Sequence, residues 1–74
     1  MQEDIPTTIA SMREKPTDAS VQMNACRRLG NLAANNAENQ AAIAQAGGIP
    51  AVVAALRGHP TSAGVQEWGA AALR

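Results

Sequence analysis

The chain has 74 residues, with six basic and six acidic side chains, a formal net charge of zero, one cysteine and neither Phe nor Tyr. Of its 34 apolar residues 17 are Ala and 15 are Ile, Leu, Val or Met, enough for one small domain with a thin core and too little for two. Cys26 alone cannot make a disulfide framework, no His/Cys cluster offers a structural zinc site, and no apolar stretch approaches the roughly 20 residues that cross a bilayer.

In chain order, Ile5, Ile9 and Met12 mark an apolar stripe on a first helix over 5–14, with Pro6 tolerated in its first turn and Lys15-Pro16 ending it. Thr17 or Asp18 caps a longer helix that runs to about Ala34 and buries Val21, Ala25, Leu29 and Leu32. Asn35 with Glu38 three residues on has capping-box spacing and opens a short Ala-rich helix with Ile43 inward, closed by Gly47-Gly48, one of which takes the left-handed conformation. Ile49, Val52, Val53 and Leu56 at i, i+3, i+4 and i+7 form the stripe of a fourth helix over 49–57, with Pro50 tolerated in its first turn and Gly58-His59-Pro60 ending it. A fifth helix begins near Ser62.

The first and fourth helices, and the second and fifth, repeat one another. Sliding the sequence by 44 residues lays 5–30 on 49–74 without a gap, and ten of the 26 pairs are identical, among them Ile5/Ile49, Pro6/Pro50, Pro16/Pro60, Val21/Val65, Gln22/Gln66 and Leu29/Leu73. A period in the low forties on an all-helical pattern points to stacked helical units, each unable to bury its apolar face alone.

A three-helix unit with Glu38-Asn39-Gln40-Ala41-Ala42-Ile43-Ala44-Gln45-Ala46-Gly47-Gly48-Ile49-Pro50 at its junction, Val21-Gln22 and Ala25-Cys26 opening the long helix, and Leu29-Gly30-Asn31-Leu32-Ala33 at its core resembles the armadillo repeat. The resemblance covers 5–74. It implies an all-α, right-handed α–α superhelix fragment of about five helices in a single region spanning 1–74. In that register, 5–48 hold the second and third helices of one unit plus the first helix of the next, and 49–74 hold the second and a truncated third. It also implies that the long helices line a concave groove that receives extended peptides of partner proteins. The family's nuclear-import receptors carry Trp and Asn four residues apart on that helix. Here Arg27 precedes Asn31 by four and Trp68 precedes Ala72 by four, which argues against a receptor for nuclear-localisation signals.

Asn31 matches the position whose amide, a donor and an acceptor together, pairs with a bound peptide backbone. Asn24, Arg27, Arg28, Asn31 and Asn35 fall on one side of the long helix at spacings of three and four, and Arg27 can pair bidentately with a carboxylate. The peptide-binding set is therefore Asn31, Arg27, Asn24 and Asn35, read against an ordinary solvated helix face. The interface set is Trp68, Leu73, Ile5 and Ile9, at the apolar faces that a short stack leaves open. Cys26 is expected as a small buried hydrophobe, and His59 as an exposed turn residue, so no catalytic pair forms. The scattered carboxylates make no metal site, and Gly47-Gly48 lacks a phosphate loop's surroundings.

These observations point to a non-enzymatic protein-interaction module that needs no cofactor. The alternative is a structural fragment that assembles with copies of itself through its apolar ends. With no aromatic stacking platform and no basic excess, nucleic acid is not an expected partner, nor is a membrane. The acidic start Met1-Gln2-Glu3-Asp4 lacks the basic character of a secretory leader, so an intracellular location, cytoplasmic or nuclear, is the expectation.

Overall fold

Proline, glycine and small polar residues cut the chain into five helices: α1 (Ile5–Glu14), α2 (Ala19–Ala33), α3 (Ala37–Gln45), α4 (Gly48–Gly58) and α5 (Ala63–Ala72). The computed structural model describes residues 5–73, and among them there is no strand; the acidic Met1-Gln2-Glu3-Asp4 start and Arg74 lie outside the described residues. Asp18, in an extended conformation, caps α2 by accepting from the Val21 N–H at 3.2 Å. Ser62, the residue 44 positions on, does the same for α5 through the Val65 N–H at 3.3 Å. Gly47 is the left-handed glycine, with φ 86°. Only a residue without a Cβ enters that region without strain, and it lets α3 and α4 meet at a 73° bend.

The cap of α3 is shifted by one residue from the expected place. The side chain of Asn36, not Asn35, accepts from the Asn39 N–H at 3.0 Å. Helix α2 stops at Ala33 and Ala34 is extended, so Asn35 must make the turn; it does so at φ 55°, a conformation that asparagine tolerates better than most residues.

Packing follows the carbonyls as much as the hydrophobes. The last carbonyls of a helix have no partner inside it, and in three of the four junctions amide side chains from the following helix reach back to them. Gln22 Nε2 donates to the Met12 and Lys15 carbonyls, both at 2.9 Å. Asn39 Nδ2 donates to Leu32 O at 2.7 Å and Gln40 Nε2 to Ala33 O at 2.8 Å. Gln66 Nε2 donates to Leu56 O at 2.9 Å and His59 O at 3.1 Å. Met12/Leu56, Lys15/His59 and Gln22/Gln66 are all 44-residue pairs, so the sequence repeat is also a repeat of the same clamp.

Helix α2 lies along α5 and is flanked by α1 and α3, while α4 touches α1, α3 and α5. Small residues let α2 and α5 approach: a Cβ built on Gly30 would stand 3.6 Å from the Ala72 backbone nitrogen, and Met23 covers Gly64. Ile9, Met12, Cys26, Leu29, Val52 and Val65 form the centre of the core. The buried side of α2 is Gln22, Ala25, Cys26 and Leu29, with Val21 and Leu32 only half-buried, a rotation of the expected stripe toward the Gln22 clamp.

Helix α4 departs further. Of the expected Ile49, Val52, Val53 and Leu56, only Val52 is fully buried; Ile49 is 52% exposed, and Gly48, Ala51 and Ala55 face inward instead. The 73° bend brings Gly48 so close to α3 that an added Cβ would lie 2.8 Å from the Ile43 carbonyl oxygen, so the near side of α4 takes small residues and the bulky ones turn away.

Candidate protein-binding face

The side of α2 opposite Cys26 and Leu29 is polar and wet. Asn24, Arg27, Arg28 and Asn31 are all exposed there, and with half-buried Leu32 they line a shallow groove of about 410 Å³. Their spacing puts them on adjacent turns of a helix anchored from behind, because Cys26 and Leu29 are both 0% exposed. An amide pair flanking two guanidinium groups offers donors and acceptors for a backbone and cations for a carboxylate.

Asn35 does not join this face. It stands in the α2–α3 turn and lines a separate depression with Gly30, Ala33, Ala34, Gln40 and Ala71. Extrapolating the helical spacing past Ala33 placed it with the other four; the end of the helix carries it around the corner.

The expected interface residues divide. Ile5 and Ile9 are 8% and 1% exposed, inside the molecule's own core, and are not available to another chain; α3 and α4 pack on α1 and close that face. Trp68 is half-buried and packs against the core, whereas Leu73 is 41% exposed. Ile49, which sequence reasoning turned inward, belongs with Leu73 as the second exposed large hydrophobe among the described residues. The signal that could have found it is the pairing Ile5/Ile49: a repeat position buried by a following unit is left bare where the described helices end.

Comparison with known proteins gives no match to a protein-family model, to a curated protein or to a solved structure.

The remaining reactive groups are held in structural roles. Burial pushes the Cys26 thiol up to about 11, so at neutral pH it is protonated and a poor nucleophile. His59 is half-buried, not exposed as its Gly58-His59-Pro60 turn suggested. Its Nε2–H donates to the Pro16 carbonyl at 2.8 Å, tying the α4–α5 turn to the α1–α2 turn. Among the described residues no three His, Cys, Asp or Glu side chains converge on a possible metal position, and no single helix is long and apolar enough to cross a membrane.

Proposed function

We propose that this chain is a non-enzymatic protein-interaction module of armadillo type, and that Asn24, Arg27 and Asn31 on α2 hold an extended peptide bearing carboxylates. The observation that carries this reading is the exposed amide–guanidinium row on a helix whose other side is locked into the core. Two helix pairs related by 44 residues, stacked through α2 and α5 and linked by α3 with its glycine turn, support the armadillo assignment and the superhelical stacking that goes with it.

The chemistry sets the partner. Asn24 and Asn31 pair with main-chain N–H and C=O groups regardless of sequence, and Arg27 selects acidic side chains. The chain as a whole is neutral, which favours a local carboxylate contact over a polyanion such as nucleic acid.

The test is a titration of the whole chain with extended acidic peptides and with the same peptides carrying amides in place of carboxylates, read by calorimetry. The acidic set binds more tightly, and Arg27→Ala with Asn31→Ala removes the difference. Equal binding of both sets, or acidic binding unchanged in the double variant, overturns the reading.

A further inference from the structure

We propose that Met23 is an oxidation site built into the α2–α5 junction, and that converting its thioether to the sulfoxide with a peroxide loosens the contact between the two helix pairs.

Met23 and Gly64 face each other where α2 and α5 begin to run together. The three atoms nearest to a Cβ built on Gly64 are the Sδ, Cγ and Cβ of Met23, and the sulfur lies so close that the two would collide. Further along the same helices Gly30 meets the Ala72 backbone. Two glycines therefore let α2 and α5 approach, and at the first of them a methionine side chain covers the backbone. An unbranched, polarisable thioether suits such a slot because it can follow an irregular surface.

The pairing belongs to the junction and not to the repeat. The residue 44 positions after Met23 is Glu67, and the one 44 positions before Gly64 is Ser20, so neither half of the contact recurs in the other unit. This contact lies in the most extensive helix pairing among the described residues.

Met23 is also within reach of an oxidant. It is half-buried, packed against the edge of the core, and its neighbour Asn24 is exposed, as is Ala63 beside Gly64. Met12 is 3% exposed and Cys26 is 0% exposed, so the same reagent meets both only when the core opens.

The reaction with hydrogen peroxide is a two-electron transfer. A sulfur lone pair attacks one peroxide oxygen, an S–O bond forms, the O–O bond breaks, and the departing hydroxide takes the remaining peroxide proton to leave as water. The thioether is oxidised and the peroxide is reduced. A flexible apolar side chain has become a polar one. Its new oxygen is a strong acceptor that holds water, and burying it without a partner is costly. The side of the sulfur that faces Gly64 has no room for another atom, so the oxygen points outward and draws the side chain toward solvent. Glycine has nothing of its own to fill the slot left behind.

Peroxide treatment of the folded full chain, followed by peptide mass mapping and thermal unfolding, tests the proposal. Met23 gains one oxygen well before Met12 does, the midpoint falls by about 5 °C, and methionine sulfoxide reductase restores it. Met23→Leu keeps the apolar bulk, starts near the wild-type midpoint and does not move under the same treatment, although Met1, Met12 and Cys26 are all still present. Met23→Gln, polar at a similar length, starts from a lowered midpoint without any oxidant. A Met23 that stays reduced until Met12 reacts, a fully oxidised Met23 with an unchanged midpoint, a Met23→Leu chain that falls as far as wild type, or a Met23→Gln chain as stable as wild type overturns it. Asn24, Arg27 and Asn31 are the same in every variant, so peptide binding stands or falls separately.

Discussion

The α1–α2 unit and the α4–α5 unit carry the same amide clamp and the same cap position, yet identical residues in them live in opposite surroundings. Leu29 is 0% exposed and Leu73 is 41% exposed; Gln22 is buried and Gln66 is half-buried. A repeat therefore transmits local hydrogen bonding faithfully, since each clamp needs only its own helix and turn. It does not transmit burial, which belongs to whatever lies next to the unit. Burial in such a molecule is concentrated at the junction between units, and bare apolar surface lies where the described helices end.

The sharpest way to break this comparison is to truncate the same leucine twice. Leu29→Ala should cost about 2–5 kcal/mol in chemical denaturation, the usual range for a buried leucine in a packed core. Leu73→Ala, measured on the dilute chain, should stay within about 0.5 kcal/mol. Equal costs would mean that the two environments do not differ as described.

A second contrast lies in pH. The Cys26 thiol is raised by burial, while Ala70 occupies its place in the other unit. A group whose folded pKa is raised contributes stability that is fully present below the ordinary thiol range and is lost as pH climbs through about 11. Within that window Cys26 should make stability fall by about 1.4 kcal/mol per pH unit, and Cys26→Ala should remove that component of the slope. At neutral pH the native thiol should resist alkylation until the chain unfolds.

The clamps give a finer measurement. Gln22→Ala leaves the Met12 and Lys15 carbonyls without their donor and should cost about 1–3 kcal/mol. Gln66→Ala should cost less, because the Leu56 and His59 carbonyls lie in a partly buried setting that water can reach. The smallest expected effect is at the caps. Asp18→Ala and Ser62→Ala should each lower the thermal midpoint by an amount equivalent to about 1 kcal/mol, and by similar amounts, since the cap is a local interaction.

Much of the fold was legible because helix ends are decided by a few residues with special backbone chemistry. Pro6, Pro16, Asp18, Gly47 and Ser62 marked boundaries that hold in the structure to within a residue or two. The faces were harder. In α4 a bulky apolar stripe was counted, but alanines on its other side suit a close crossing equally well, and the bend at Gly47 decided in their favour. The polar row on α2 was visible in the spacing of Asn24, Arg27 and Asn31, whereas Asn35 was assigned to it by continuing a helix that had already ended. The Gln22 and Gln66 clamps were missed although both glutamines were seen to repeat, because periodicity reports which residues recur and not which carbonyls they reach.

The clamps have a consequence for how such a chain can change its length. Gln22 and Gln66 each secure only the helix and turn just before them, and Asn39 and Gln40 reach back only to the end of α2, so every amide clamp joins a helix to the one that precedes it. Inserting or excising one whole period leaves every remaining amide with its own acceptors, whereas an insertion between a glutamine and the turn before it separates the glutamine from its carbonyls. Growth or loss by complete modules is therefore the path that disturbs the fewest polar groups, and the Gln22-to-Gln66 interval is its natural ruler.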